Sequence, residues 1–316
     1  MKSIVLILLC FFSTFLTIGA QEINLKSWMD LLEDKTPILR LSIPATHDSG
    51  ATLGGFSLKT QDCSIDEQLS KGIRGFDIRL TARSEKKLGV YHDVQFQQIT
   101  WEDDLFPIFA KFLDEHPSET LWVSLKKEGG DTDSYCELLT ASLYEPKYEK
   151  YIVTDITANL TLGDCRGKII FSHRDNYLTT YPGVQCYDWP DNTTGLMTFR
   201  TQDGVDIKGL VEDEYKYDDL HSATYKAKLT WANMRTNTQD TNSELKWIIS
   251  FASATALPNA GPEDFAKVVN PYLVDKTKSL DGPCGIVLVD FSGTVAVQNL
   301  IRNLIISNLS YYSKTK

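Results

Sequence analysis

From residue 38 onward the chain alternates short apolar runs with stretches whose apolar positions recur at helical spacing. The runs predict strands over Ile38–Ala45, Gly75–Leu80, Lys87–Tyr91, Thr120–Leu125, Lys168–Ser172, Ile207–Val211, Leu245–Ser250 and Cys284–Val289. Several of them, such as LWVSL, KIIFS and GIVLVDF, are apolar at nearly every position, the pattern of parallel strands buried on both faces. Helices are predicted over Ile65–Lys71, Trp101–His116 with Thr100 as N-cap, Tyr135–Tyr144, Pro262–Leu273 and, closing the chain, Ala296–Ser307. Residues Tyr177–Ala227 are rich in Tyr, Asp and Thr and show neither period, so long loops around one short strand are expected there. About eight strands alternating with helices predict an α/β fold, an irregular (β/α)8 TIM-type barrel. No internal repeat, low-complexity tract or linker breaks the pattern, so residues 21–316 read as a single domain.

Residues 1–20 stand apart from this pattern. Lys2, a fifteen-residue apolar region from Ile4 to Ile18 and small residues ending at Ala20 have the layout of a cleaved secretory signal peptide. Such a region is too short to span a bilayer. A secreted protein, extracellular or periplasmic and monomeric, is therefore expected. Lysine and arginine number 32 against 42 acidic residues, a net charge of −10, and the leader removes only Lys2 from that count. A chain so acidic lacks the basic footprint that nucleic acid requires. It also gains no bulk attraction to anionic bilayers. Beyond Cys10 in the leader lie Cys63, Cys136, Cys165, Cys186 and Cys284, with no C-x-x-C pair for zinc or redox chemistry. Their odd number leaves at least one thiol free while permitting two disulfides.

The C-terminal ends of the predicted strands carry the chemistry, as the barrel geometry requires of a catalytic rim. His47 and Asp48 follow the first strand, Asp77 and Arg79 lie on GFDIRL, and His92 and Asp93 follow GVY. Lys126 and Glu128 follow LWVSL, Arg174 follows KIIFSH, and Asp290 ends GIVLVD. Any single polar strand end is unremarkable where protein meets water; two histidines and two arginines on one rim are not. A neutral imidazole can take a proton from a hydroxyl nucleophile while a protonated one gives a proton to a leaving alkoxide. An arginine between them can hold a phosphate bidentately and stabilise charge on its equatorial oxygens. Together these are the parts for phosphodiester cleavage by an internal hydroxyl, giving a cyclic phosphate without a metal or other cofactor.

The segments IPATHDSG, GIRGFDIRL, SETLWVSLKKE and LGDCRGKII closely resemble the bacterial phosphatidylinositol-specific phospholipases C. The likeness continues in the same order through YDWPDN and EDEYKY to GIVLVDF. It implies an irregular (β/α)8 barrel that cleaves phosphatidylinositol, or glycosylphosphatidylinositol anchors, to diacylglycerol and inositol 1,2-cyclic phosphate, with transient contact at a membrane surface. Residue by residue, it implies His47 as general base for the inositol 2-hydroxyl, oriented by Asp290, and His92 as general acid assisted by Asp48. It further implies Arg79 on the phosphate, Asp77 ordering the cluster, and Lys126, Arg174, Asp213 and Tyr215 as the headgroup site, with Tyr215 against the ring. Departures from the family pattern are Ala45 and Asp93, each in place of a glycine. Phe56, Leu58 and Leu257 stand where relatives carry interfacial tryptophan, which predicts weak membrane adsorption.

Other readings compete. A metal-dependent phosphodiesterase on the same fold needs several carboxylates converging on a cation, and Arg79 occupies a position where such an enzyme would place a ligand. A ribonuclease-like cyclising enzyme conflicts with the acidic charge. A non-catalytic inositol-lipid or glycan binding barrel would lack one of the histidines or the arginine. His116 reads as a solvent-exposed helix end, His173 as packed, His221 as loop, and Trp122 and Trp247 as core; Trp101 and Trp189 are undecided. N-x-S/T acceptors occur at Asn159, Asn192 and Asn308.

Overall fold

The computed structural model describes residues 15–18, 21–239 and 246–314. Apart from Phe15–Ile18 (β1), the leader expected over residues 1–20 lies outside them. β1 pairs antiparallel with Gln21–Asn24 (β2). The strands that follow are Ser42–Thr46 (β3), Gly75–Ala82 (β4), Leu88–His92 (β5), Gln95–Thr100 (β6), Leu121–Gly129 (β7) and Ile169–His173 (β8). Val184–Tyr187 (β9), Thr194–Thr201 (β10), Asp206–Glu212 (β11), Trp247–Phe251 (β12) and Gly285–Val289 (β13) complete them. The ring runs β3-β13-β12-β11-β10-β9-β8-β7-β4 and closes through pairing of β4 with β3. Every neighbour pair in it is parallel except the two made by β10, which runs against both β9 and β11. This is the expected α/β barrel, with its irregularity localised to β10.

The differences from the sequence pattern have physical causes. Ile38–Arg40 forms a 3-10 turn after Pro37, and β3 begins only at Ser42. The predicted strand over Lys87–Tyr91 exists as β5 but is not a barrel stave: with β6 it makes an antiparallel hairpin that extends the sheet from β4. Tyr177–Ala227 holds three strands, not one, because β10 is antiparallel and exposes one face, so its composition is polar.

Besides the short Gly55–Leu58 (α1) at the rim, the helices are Ile65–Ser70 (α2), Phe106–Glu115 (α3), Thr132–Leu143 (α4), Leu162–Cys165 (α5), Ala223–Gln239 (α6), Pro262–Thr277 (α7) and Val295–Lys314 (α8). Ser64 and Glu67 form a capping box that starts α2. Thr100 caps the π-turn Trp101–Leu105 that leads into α3, whose buried Phe106 and Phe109 pack with Trp101 and Phe171. The sequence pattern does not reveal α6, because its buried face mixes Lys226, Thr230 and Asn233 with the apolar Ala223, Ala227 and Met234, which breaks the apolar stripe.

Trp122 and Trp247 are core, as expected, and Trp101 joins them. His173 is packed and donates from Nε2 to the Pro182 carbonyl at 2.8 Å, and burial lowers its pKa to about 4. His116, expected in solvent, is half-buried, with Nδ1 3.0 Å from Ser27 Oγ. Asn308 is fully buried: its side chain binds both the N–H and the carbonyl of Ser42, at 2.7 and 2.8 Å, so it is no glycosylation acceptor in the folded chain. Cys63, Cys136, Cys165, Cys186 and Cys284 are all free thiols. Among the described residues no helix is long and apolar enough to cross a membrane.

Candidate active site

Barrel strands bring their chemistry to one rim because β3, β4, β7, β8, β11 and β13 all run toward it. Asp77 and Arg79, two residues apart on β4, share a face of the sheet, and β4 lies tight against β3. A Cβ on Gly75 would come within 2.5 Å of the Cβ of Ala45, so glycine at 75 is what lets alanine stand at 45. His92 arrives by another route. β5 pairs antiparallel with the upper part of β4, Leu80 opposite Val90, so this return strand carries His92 back down to the rim.

An open cleft with an empty volume of about 880 Å3 is lined by His47, Arg79, His92, Lys126, Arg174, Asp213, Tyr215 and Asp290. Asp48 and Asp77, the remaining predicted site residues, are each 1% exposed and reach the same cluster through Arg79. All ten converge.

At the centre, Arg79 Nη2 donates to His47 Nε2 at 2.8 Å. Guanidinium only donates, so Nε2 is the acceptor, and Nδ1 carries the imidazole proton and donates it to Asp290 Oδ1 at 2.9 Å. Burial, then the charge of Arg79, lowers the His47 pKa well below its ordinary value, so the ring is neutral. Burial and the nearby Asp48 push the Asp290 carboxyl well up, and its Oδ2 has no hydrogen-bond partner. A carboxylate so poorly solvated interacts strongly with any imidazolium formed beside it. Gln61, not foreseen from the sequence, fixes this pair: its Nε2 donates to the carbonyls of His47 and Val289 at 2.8 and 2.9 Å.

Arg79 Nη1 lies 3.0 Å from Asp48 Oδ2 and 3.7 Å from Glu128 Oε1, and Nη2 is 3.3 Å from Asp77 Oδ2. Burial works against the guanidinium charge, but these three carboxylates raise its pKa and keep it protonated. The two aspartates answer burial differently. At Asp77 the charge of Arg79, with Arg174 and the Asp48 N–H that it accepts at 3.1 Å, overcomes burial and holds the carboxyl at about 2. Asp48 Oδ2 makes no well-aligned hydrogen bond despite its closeness to Arg79, and burial raises that carboxyl to about 6. Beyond Asp48, His92 presents Nε2 at 3.5 Å, while its Nδ1 donates to the Leu58 carbonyl at 2.7 Å.

On the other side of the cleft, Arg174 Nη2 donates to Asp213 Oδ2 at 2.6 Å and its guanidinium lies 4.2 Å from the centre of the Trp189 ring. The Trp189 indole N–H donates to the same carboxylate oxygen at 2.8 Å. Trp189, undecided in the sequence, thus belongs to the site. The Tyr215 hydroxyl donates to Asp191 Oδ1 at 3.2 Å. Lys126 Nζ donates to Glu128 Oε2 at 3.1 Å, and Glu128 Oε1 accepts the N–H of Asp93 at 2.9 Å. Glu128 was visible two residues after Lys126 on the same strand face; its link to the loop after His92 was not.

The backbone turns sharply after three of these residues. Asp48, Asp93 and Phe291, which follow His47, His92 and Asp290, have φ of 44°, 51° and 56°. Aspartate tolerates this left-handed region, which explains an aspartate at 93 where the resembling family has glycine. Phenylalanine does not, and Phe291 is held there by its N–H donating to the Thr60 carbonyl at 2.7 Å.

Comparison with known proteins agrees with this geometry. Residues 35–175 match the family described as phosphatidylinositol-specific phospholipase C, X domain. Over 312 residues the chain is 28% identical to 1-phosphatidylinositol phosphodiesterase of Staphylococcus aureus (strain Newman), covering 90% of this chain and 94% of that protein. The protein of the same name from Listeria monocytogenes is 27% identical over 296 residues, covering 89% and 86%. The fold is similar to the solved phosphatidylinositol-specific phospholipase C of Listeria monocytogenes, with TM-score 0.71, 24% identity and coverage of 89% and 99%. With a Staphylococcus aureus structure the TM-score is 0.79 at 24% identity, covering 90% and 98%. With its X-domain match over residues 35–175 and its likeness to both relatives along nearly the whole chain, this protein is similar throughout to the bacterial phosphatidylinositol-specific phospholipases C.

Proposed function

We propose that this protein cleaves phosphatidylinositol to diacylglycerol and inositol 1,2-cyclic phosphate, with His47 as base and His92 as acid and no metal ion. The observation that carries the reading is the Arg79 guanidinium, set between His47 Nε2 and the Asp48–His92 pair. In the free protein Arg79 occupies the lone pair that the base needs. A bound phosphodiester draws the guanidinium onto its equatorial oxygens, and Nε2 is then free to accept the proton of the inositol 2-hydroxyl. The 2-oxygen attacks phosphorus, the bond to the diacylglycerol oxygen breaks, and His92 Nε2 gives that oxygen a proton. Asp290 stabilises the imidazolium left at His47. Arg174, Asp213, Lys126 and Tyr215 form the headgroup side, their charged groups bonding ring hydroxyls and Tyr215 covering a ring face.

A metal-dependent reaction finds less support, because Asp48, Asp77 and Glu128 converge on Arg79, which already supplies the positive charge. The Staphylococcus aureus protein binds membranes. Here Phe56, Val94 and Leu257, 56%, 82% and 48% exposed, stand on three segments that border the cleft and offer an apolar edge to a lipid surface. With the leader-like residues 1–20, this supports action outside the cell on lipid presented at a bilayer.

The test is incubation of the purified protein with phosphatidylinositol in excess EDTA, followed by phosphorus NMR. A five-membered cyclic phosphate is expected; turnover that disappears in EDTA and returns with calcium would refute the metal-free reading. Arg79→Lys is expected to lower kcat/KM by about 10²–10³-fold, since a point charge cannot replace the bidentate fork.

A further inference from the structure

Behind the headgroup side lies an ion pair that the proposed reaction does not use. Lys226 of α6 and Glu212, the last residue of β11, are both fully buried and bonded through Nζ and Oε1. Desolvating two charges costs several kcal/mol per ion, and a well-packed apolar pair of similar volume commonly gives equal or greater stability. Stability is therefore a poor reason for placing charges here, and the remaining contacts of the pair suggest a better one. Glu212 Oε1 also accepts the N–H of Glu214 at 3.1 Å, so one carboxylate ties down the turn on either side of Asp213. Its Oε2 lies 3.0 Å from the Thr230 hydroxyl, itself 3.0 Å from the carbonyl of Phe251 at the end of β12. Phe251 packs edge-on against both His47 and Trp189, with ring centres 5.9 and 6.1 Å apart.

We propose that Glu212, held in place by Lys226, is a positioning residue that sets the Asp213 carboxylate against the inositol ring. The inference rests on the function proposed above, and its test separates the two. In Lys226→Met/Glu212→Leu the clamp on Glu214 is lost without leaving a buried charge. Its thermal midpoint is expected to stay close to that of the unmodified protein. Its KM for dispersed phosphatidylinositol should rise about tenfold with kcat changed less than about threefold, and calorimetric affinity for myo-inositol should fall by the same tenfold. Lys226→Met/Glu212→Gln keeps an acceptor for the Glu214 N–H and should recover both KM and affinity to within about threefold. Wild-type affinity and KM in the Leu variant would overturn the proposal, as would equal losses in the Gln and Leu variants. So would failure of either double variant to fold, which would assign the pair to fold stability. If the unmodified protein binds myo-inositol without cleaving the lipid, the function falls while the calorimetric comparison still decides the clamp.

Discussion

Replacing Asp48 by Asn should make the protein more stable and less active at once. Asp48 is 1% exposed, and burial raises its carboxyl from 3.8 to about 6 even with Arg79 3.0 Å away. At about 1.4 kcal/mol per pH unit, that displacement of roughly two units makes the ionised form cost the fold on the order of 3 kcal/mol. The sign follows from proton uptake: the folded state holds this proton between pH 3.8 and 6 while the unfolded state has released it. The stability contributed by the carboxyl is therefore lost as pH rises through that window and gone above it. Asn mimics the protonated form, so the variant should gain roughly 3 kcal/mol at pH 8, about half of that at pH 5, and nothing below the unfolded pKa. For a domain of this size the full gain corresponds to a thermal midpoint about 5 °C higher. Urea unfolding followed by tryptophan fluorescence at pH 8 and pH 5 reads both points. Turnover of phosphatidylinositol should fall about 10–100-fold, because the proposed general acid His92 loses the carboxylate that faces its Nε2 at 3.5 Å. An Asn variant less stable than the unmodified protein at pH 8 would refute the reasoning, showing that the ion pair with Arg79 outweighs burial.

Leaving-group chemistry separates the two histidines: an inositol phosphodiester with a nitrophenol leaving group should substantially rescue His92→Ala and hardly rescue His47→Ala. Equal rescue of both would reverse or abolish the assigned roles. Leu257→Trp should increase co-sedimentation with neutral phosphatidylcholine vesicles without changing hydrolysis of a soluble inositol cyclic phosphate, because an indole anchors at the interface better than an isobutyl group. Tight vesicle binding before the substitution would contradict the expected weak adsorption. Asn308→Ala removes both hydrogen bonds to the Ser42 backbone and should cost about 2–4 kcal/mol in urea denaturation, with kinetics nearly unchanged at a temperature where the variant is folded. A loss under 1 kcal/mol would mean that water replaces the amide.

Much of the barrel was legible because its parallel strands are covered on both faces and must be apolar throughout. LWVSL and GIVLVDF leave little choice of structure, and polar residues at their C-terminal ends are exceptions that point to a site. His47, Arg79, Lys126, Arg174 and Asp290 were readable in this way, one strand end at a time. Family likeness added what periodicity does not hold, above all Asp213 and Tyr215 in a stretch that looked like loop. The antiparallel β10 and the helix α6 stayed hidden for the same reason in two forms. In β10 the alternation of buried Met197 and Phe199 is blurred by an exposed Leu196 and a buried Thr201, and in α6 buried Lys226, Thr230 and Asn233 interrupt the apolar series of Ala223, Ala227 and Met234.

Along the sequence, Asp48 and Asp77 are two aspartates near one arginine, and nothing there distinguishes them. The sequence by itself determined which groups reach the rim and what reaction such groups can perform. Tertiary structure decided their states: at Asp77 the charges of Arg79 and Arg174, helped by the Asp48 N–H, outweigh burial and hold the carboxyl at about 2, while at Asp48 burial, with Asp77 and Glu128 nearby, prevails over Arg79 and raises it to about 6. It likewise decided that β5 leaves the barrel and returns, placing His92 within 3.5 Å of Asp48, and that Arg79 rests on the lone pair of His47. Proton affinities depend on solvent exclusion and on hydrogen-bond directions within a few ångströms, and those are set by contacts between residues far apart in the chain.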